Sequence, residues 1–419
     1  MTDPITLIAA WLRELLTSWG LALGLVNFIM ALLAVVVIAS VMLVLDVLLV
    51  WVERKVVARF QDRLGPNRLG PFGLIQPFAD IIKLLIKEDI TPAGADRVVY
   101  NIAPLLALAS VLLLWAVIPY SATMYGADLD VGVLFIVAAG AIGTLGTIMA
   151  GWASNNKYAL LGAFRSVAQV IAYEVPMVVI LLVPVMLARS MSLVDIVNQQ
   201  EGYWFILIAP LATVVFLITA IAELGRSPFD LNEAESEIVA GFHIEYTGMK
   251  FGLFYAGELL HAMTMGALLA TFFLGGWRGP FVDQVPFLGA FYLLGKAIFI
   301  YWVIMWVKYS VPRVRIDHML DFNWKFLVPL ALVIVLVTAF TDKLLNSPDM
   351  VAVTLSRLGI FVTVGWQTSA VYVVGMLLAN VLVAWLTLSL LRKYAHLERR
   401  RVGEPRPVAT PELAKVSNP

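Results

Sequence analysis

An all-α polytopic membrane fold is the class this sequence predicts: about nine transmembrane helices, with one interfacial amphipathic helix on the cytoplasmic side. Three observations predict it. Of 419 residues, 61% are hydrophobic and only 14% charged, and mean hydropathy is +0.89. Nine apolar runs reach roughly 20 residues, the length that crosses a bilayer. Lysine and arginine collect on alternate connections, as positive-inside sorting requires.

The elements follow in chain order. Residues 1–25 form an N-terminal segment whose apolar stretch, 5–19, is too short to span, so it lies at the interface or extends the first span. It lacks the basic start and small-residue cleavage site of a signal peptide. Spans are expected at about 26–51, 98–119, 131–152, 167–188, 203–223, 251–275, 289–309, 326–345 and 368–391. After the first, Gly65-Pro66-Asn67 and Gly70-Pro71 are turn formers that send the chain back on itself. Within 73–88, Leu74, Ile75, Phe78, Ile81, Ile82, Leu85 and Ile86 share one helical face, and Gln76, Asp80, Lys83 and Lys87 share the other. That two-sided polarity over so short a length predicts a helix lying flat at the interface. Residues 26–345 therefore hold eight spans, the flat helix and an acidic loop at 224–250. Residues 346–391 add a loop and the ninth span, and 392–419 form a basic, Pro-rich tail that buries no core.

Connections at 52–97, 153–166, 224–250, 308–325 and beyond 391 carry 23 lysines and arginines, against 5 on the opposite set. That asymmetry places the N-terminus outside and the C-terminus in the cytoplasm, or in an organelle's equivalent compartment. Zero net charge points to no nucleic acid and no generally acidic partner. Absence of cysteine excludes disulfides and thiolate-bound iron–sulfur clusters in this chain, and four histidines offer little material for haem or metal. No redox centre is evident.

Chemistry concentrates on the inner side. Between Glu223 and Glu258 stand seven carboxylates: Glu223, Asp230, Glu233, Glu235, Glu237, Glu245 and Glu258. Five lie in the loop 224–250, against a single arginine, Arg226. Crowding like charges beside a bilayer adds nothing to stability. Mutual repulsion and desolvation are the usual way to make carboxyl groups that bind and release protons. Glu233 and Glu237 are i, i+4 on any helix and repel, and Asp230 after Ser227-Pro228 suits a helix start. A cap with a solvated helix face accounts for Asp230 and Glu233, but not for Glu223 at the membrane boundary or for Glu245.

Two further groupings stand out. Arg54, Arg59, Arg63 and Arg68 are ordinary positive-inside residues on one reading. On the other, they join Glu53, Asp62 and Asp80 in a polar mouth between the flat helix and the spans, open sideways to lipid and able to admit an amphiphile. Within the spans, Glu174, Glu258 and Lys296 each carry a charge that costs roughly 2.5–3.5 kcal/mol at mid-membrane. They form either a structural ion pair, such as Lys296 with Glu258 or Glu174, or a proton relay running inward from the acidic loop. Asp46, nearer a helix end, has the weaker case.

Taken together these strings resemble one family, the quinone-site membrane subunits that join the two arms of respiratory complex I (proton-translocating NADH:quinone oxidoreductase). The matching stretches are Glu53-Arg54-Lys55, Gly65-Pro66-Asn67, Gly73 to Asp80, Arg165 to Glu174, Glu223 to Glu237, Phe251 to Glu258 and Arg315 to Pro329, collinear over roughly residues 20–345. Departures are local: Gly225 precedes Arg226 where the family has asparagine, and Leu259 follows Glu258 where it has tyrosine. The resemblance implies a multi-pass subunit of the bacterial inner membrane with quinone, ubiquinone or menaquinone, as substrate. It implies no iron–sulfur cluster, flavin or metal in this chain. Arg54, Arg63, Phe78, Asp80, Arg226, Arg313 and Arg315 would line the quinone entrance and chamber. Glu174, Glu223, Asp230, Glu233, Glu235, Glu237 and Glu245 would form an acidic path carrying the redox signal into the membrane arm. Implied partners are the soluble quinone-site subunits, small and antiporter-like membrane subunits, and lipid. Two rival readings are the equivalent subunit of a membrane-bound hydrogenase or formate hydrogenlyase, and an ion-coupled secondary transporter, which would show pseudo-symmetric halves.

Overall fold

The computed structural model describes residues 4–231, 239–345 and 366–403. Its helices are α1 (Pro4–Ser18), α2 (Leu23–Phe60), α3 (Gln76–Ile86), α4 (Arg97–Trp115), α5 (Gly132–Ala153), α6 (Lys157–Ala188), α7 (Leu193–Asn198), α8 (Phe205–Ile208), α9 (Pro210–Glu223), α10 (Gly248–Phe273), α11 (Leu288–Ser310), α12 (Ile316–Phe322), α13 (Val328–Leu345) and α14 (Trp366–Gly403). Among the described residues there are no strands. Eight stretches of the described residues are long and apolar enough to cross a bilayer: α2, α4, α5, α6, α10, α11, α12 continuing into α13, and α14.

The expected fifth span, 203–223, is broken. Ala209 at φ −135°, ψ 55° separates α8 from α9, and α9 opens on Pro210, whose nitrogen has no proton to continue the ladder. Inside a membrane the carbonyls freed by such breaks need partners from elsewhere, and side chains of other elements supply them. Asn380 of α14 donates to the Ile208 carbonyl at 2.9 Å. Pro176 frees the Ala172 carbonyl four residues earlier, and Asn323 donates to it at 2.6 Å. Pro104 frees the Tyr100 carbonyl, and the Tyr246 hydroxyl donates to it at 3.1 Å. Asn323 opens the π-helical turn Asn323–Leu327 that joins α12 to α13.

The N-terminal segment is a helix in its own right. Gly20, at φ +75°, ends α1 before α2 begins, and the Arg13 side chain contacts Asn27 across the corner. At 1.5 Å per residue the 38 residues of α2 run about 57 Å, well beyond a roughly 30 Å hydrocarbon core. Glu53 and Arg54 therefore ride on a rigid extension of the first span. The flat helix forms as expected but shorter than 73–88. Gly73 sits at φ +78°, where a Cβ would fall 2.4 Å from the Pro66 carbonyl, and the chain turns extended at Lys87. Its ends are pinned: the Trp51 indole donates to the Phe72 carbonyl, and Lys250 pairs with Asp89 at 2.9 Å. Phe78, Ile82, Leu85 and Ile86 form an exposed apolar row, the expected seat for lipid.

α10 is the most enclosed element. From Leu259 to Phe273 all but one residue, His261, are buried, and Phe216 of α9 and Tyr301 of α11 pack against this stretch. The central helix thus carries Glu258 and His261 into the interior.

Candidate functional site

Three features adjoin one another at the end of the bundle that bears the sequence motifs. The first is a cleft of about 1160 Å³ bounded by α2, α3 and α10. Leu43, Val47 and Val50 give it an apolar wall, and Arg54 and Asp80 stand in contact with each other at its rim. Lys83 lies 3.7 Å from the same carboxylate. Asp46 is inside the cleft, 6% exposed, with Oδ1 lacking a hydrogen-bond partner in the protein. Apolar walls with a few polar groups at one end are what an amphiphile with a small polar head requires.

The second feature is a buried ion cluster. Gly225, at φ +63°, turns the chain out of α9 so that Arg226 points back into the protein, where its side chain is 2% exposed. Arg226 Nε donates to Glu258 at 3.3 Å, and a terminal nitrogen lies 3.9 Å from Glu53. Glu53 Oε1 also accepts from Lys308 Nζ at 2.9 Å and from the Tyr309 hydroxyl at 2.7 Å. Burial works against the guanidinium charge, but Glu53 and Glu258 outweigh it and hold the Arg226 pKa above its ordinary value. Two carboxylates and two cations balance in charge, yet both terminal nitrogens of Arg226, Glu53 Oε2 and the Tyr301 hydroxyl lack hydrogen-bond partners in the protein. So many unsatisfied polar atoms together mark a place for water or for a ligand's polar head.

The third feature is a chamber of about 980 Å³ beyond that cluster. Tyr255 and Phe251 line both it and the cleft. Glycines 140 and 143 of α5 leave the room, and Ser110, Thr144 and Ser166 give hydroxyl lining. Glu223, Glu258, His243 and His261 supply its ionisable groups. Burial pushes the His243 pKa below its usual range, with Glu258 partly opposing, so this imidazole is neutral at pH 7. Glu223 and Gly140 also line a narrow second cavity whose far wall bears Glu174. Glu258, Glu223 and Glu174 thereby stand along one file of connected spaces.

Other expected residues fall elsewhere. Asp230 is paired with Arg313 at 2.8 Å, which fastens the loop after α9 to the extended segment before α12, together with a Val314 N–H donated to the Pro228 carbonyl at 2.9 Å. Arg315 lies 3.6 Å from Asp317, and both are exposed. Arg63 is exposed and donates to Gln61, although it shares a shallow pocket with Arg54. Phe78 faces outward, 52% exposed. Glu245 accepts from Asn156 at 2.7 Å and does not line the chamber. Glu233, Glu235 and Glu237 lie outside the described residues.

The ion pair expected of Lys296 gives way to a different arrangement. Its ammonium donates to the carbonyls of Leu274, Gly276 and Arg278 at 2.7–2.9 Å and sits 4.5 Å from the centre of the Trp204 ring, at the opposite end of the bundle. Of the two partners offered for it, Glu258 and Glu174, the first is held by Arg226 and the second lines the narrow second cavity. The sequence assigns His261 no role, counting it only among four histidines that offer little material for haem or metal, and gives Asp46 little weight. Their positions on the chamber and cleft walls follow from tertiary packing. Among the described residues no three of His, Asp or Glu converge as a metal site.

Comparison with known proteins agrees with this architecture. A family profile described as NADH dehydrogenase matches residues 32–339. The H subunit of the NADH-quinone oxidoreductase of Dehalococcoides mccartyi (strain CBDB1) is 46% identical over 340 residues, 81% of this chain and 94% of that protein. One of the corresponding H subunits of Geobacter metallireducens is 49% identical over 315 residues, 73% of this chain and 94% of its own length. The counterpart from Phocaeicola vulgatus is 41% identical over 341 residues, covering 78% and 94%. The match takes in the first eight spans, the flat helix and every residue of the cleft, cluster and chamber, and the chain belongs to the NADH dehydrogenase family.

Proposed function

We propose that this chain is the membrane subunit through which a proton-translocating NADH:quinone oxidoreductase admits quinone and passes the consequence of its reduction into the membrane arm. One observation carries the reading: an apolar cleft adjoins a partly buried file of ionisable groups, Glu53, Arg226, Glu258, Glu223 and Glu174. Quinone enters from lipid between α2, α3 and α10, its tail against the apolar wall and its head toward Arg54 and Asp80. Reduction to quinol takes two electrons, delivered by a soluble partner subunit, and two protons. The charge change at the head is felt by the Arg226 cluster, because charges buried in low dielectric are poorly screened. Glu223 and Glu174 answer by changing protonation or position, and hand the change to antiporter-like partner subunits. Carboxylates this close titrate as a set.

In this reading the motif-bearing end faces the cytoplasm of a bacterial inner membrane, as the lysine and arginine bias requires. Asp230, Arg313 and Arg315 face the soluble partners, and Phe78 faces lipid. The test uses the assembled complex in proteoliposomes. Glu174→Gln and Glu223→Gln should each lower coupled quinone reduction about tenfold or more while assembly survives. Full turnover with full proton pumping in both variants removes the path.

A further inference from the structure

The acidic path described above consists of carboxylates, but the chamber wall also holds His261, an ionisable group that the path does not use. His261 follows Glu258 by three residues on α10, so the two share a helix face and both line the chamber. Its Nε2 lies 4.0 Å from Glu223 Oε1. Neither that nitrogen nor Glu223 Oε2 has a protein hydrogen-bond partner, and both atoms are buried. A separation of 4.0 Å is too long for a hydrogen bond and too short to seat a water between the two atoms. A shift of about 1 Å in either side chain closes it to bonding distance, the size of ordinary thermal motion.

The surroundings define what such a contact does. α9 contributes Glu223, the loop after it Arg226, and the turn before α10 contributes His243. α10 itself adds Tyr255 and Glu258, while α4, α5 and α6 add the hydroxyls of Ser110, Thr144, Thr147 and Ser166. Imidazole accepts a proton on one nitrogen and releases it from the same or the other, and is the side chain best matched to exchange near neutral pH. We propose that His261 is the link between the Arg226–Glu258 cluster and Glu223, sharing a single proton with the Glu223 carboxyl. In one form an imidazolium faces a carboxylate. In the other, the Nε2 proton has moved to Glu223 Oε1, leaving a neutral imidazole beside a carboxylic acid. Atoms and charge balance within the pair, and the motion that closes the gap gates the transfer. The link rests on the acidic-path reading and extends it by one residue.

His261→Gln keeps polarity and similar size but cannot titrate, and His261→Asn does the same with a shorter reach. In the assembled complex in proteoliposomes, each should lower maximal quinone reduction and proton pumping about tenfold, leave the KM for quinone unchanged and flatten the turnover–pH profile. Glu223→Gln is measured beside them. If both histidine variants pump and titrate like the parent while Glu223→Gln fails, the link is overturned and the acidic path stands. If Glu223→Gln also behaves like the parent, the path falls and the link with it. Loss of assembly in both histidine variants overturns the link too, because it makes the imidazole structural.

Discussion

Arg226 is the residue on which the motif-bearing end of the protein turns. It alone separates Glu53 from Glu258, with one nitrogen at 3.9 Å from the first and another at 3.3 Å from the second. Removing one member of a buried ion network leaves the others uncompensated, at a cost of about 3–5 kcal/mol. Arg226→Met should therefore lower the thermal midpoint of the purified complex sharply, and Arg226→Met with Glu258→Gln should recover part of the loss. Equal destabilisation in single and double variants would mean the two residues do not interact. Lysine offers a single nitrogen, so Arg226→Lys should fall between parent and Met. Lys296 makes a contrasting case at the opposite end. Lys296→Met gives up three carbonyl contacts and a ring contact, and should reduce stability while leaving the KM for quinone unchanged. Both residues are conspicuous in the sequence as charges in an apolar chain. Their partners are not, because backbone carbonyls and folded-back loops leave no mark on spacing or composition.

At the scale of elements, apolar length locates the spans and lysine–arginine bias orders their ends, because a bilayer imposes both on any chain. Breaks within spans are half legible. Pro210 is visible, but an apolar run reads as continuous until the backbone shows where hydrogen bonding stops. Polar side chains that answer each break are invisible, since Tyr246, Asn323 and Asn380 come from distant elements. They predict a common phenotype. Asn380→Leu leaves the Ile208 carbonyl unsatisfied, and Asn323→Leu does the same to Ala172, two residues from Glu174. Each should cost about 1–3 kcal/mol of stability, read as a fall in the thermal midpoint. Only Asn323→Leu should also lower proton pumping per quinone reduced, because α6 relaxes next to Glu174. Identical pumping in the two would detach the α6 break from the path. Asn380 also gives α14 a definite role, as the helix that seals the break between α8 and α9.

Across the whole molecule the two ends are built on different terms. At the end bearing Lys296, polar groups among the described residues are nearly saturated, the Trp115 indole apart: Gln200 accepts from the Gly275 and Phe205 amides and donates to the Thr271 carbonyl, and Arg278 donates to the Val197 carbonyl. Toward the motif-bearing end, Asp46, Glu53, Glu223, Arg226, His261 and Tyr301 all keep buried polar atoms without hydrogen-bond partners in the protein, and the cleft and chamber lie among them. A saturated end makes a rigid base, and an unsaturated end can rearrange at low cost, which is where a proton-linked change belongs. The cleft and the chamber share Tyr255 and Phe251 but differ in the rest of their lining, so substrate access and proton coupling should separate by mutation. Ala256 lines only the cleft, and Ala256→Trp fills it; the KM for quinone should rise severalfold while protons pumped per quinone stay constant. Gly140 lines the chamber and the second cavity, and a Cβ there would lie 3.7 Å from Glu223 Oε1, an ordinary contact that permits a side chain. Gly140→Leu should place its branched end between Glu223 and Glu174, lowering protons pumped per quinone with KM unchanged. Steady-state kinetics and proton uptake on the same proteoliposomes measure both. A rise in KM from Gly140→Leu, or lost stoichiometry from Ala256→Trp, would show that the two spaces act as one.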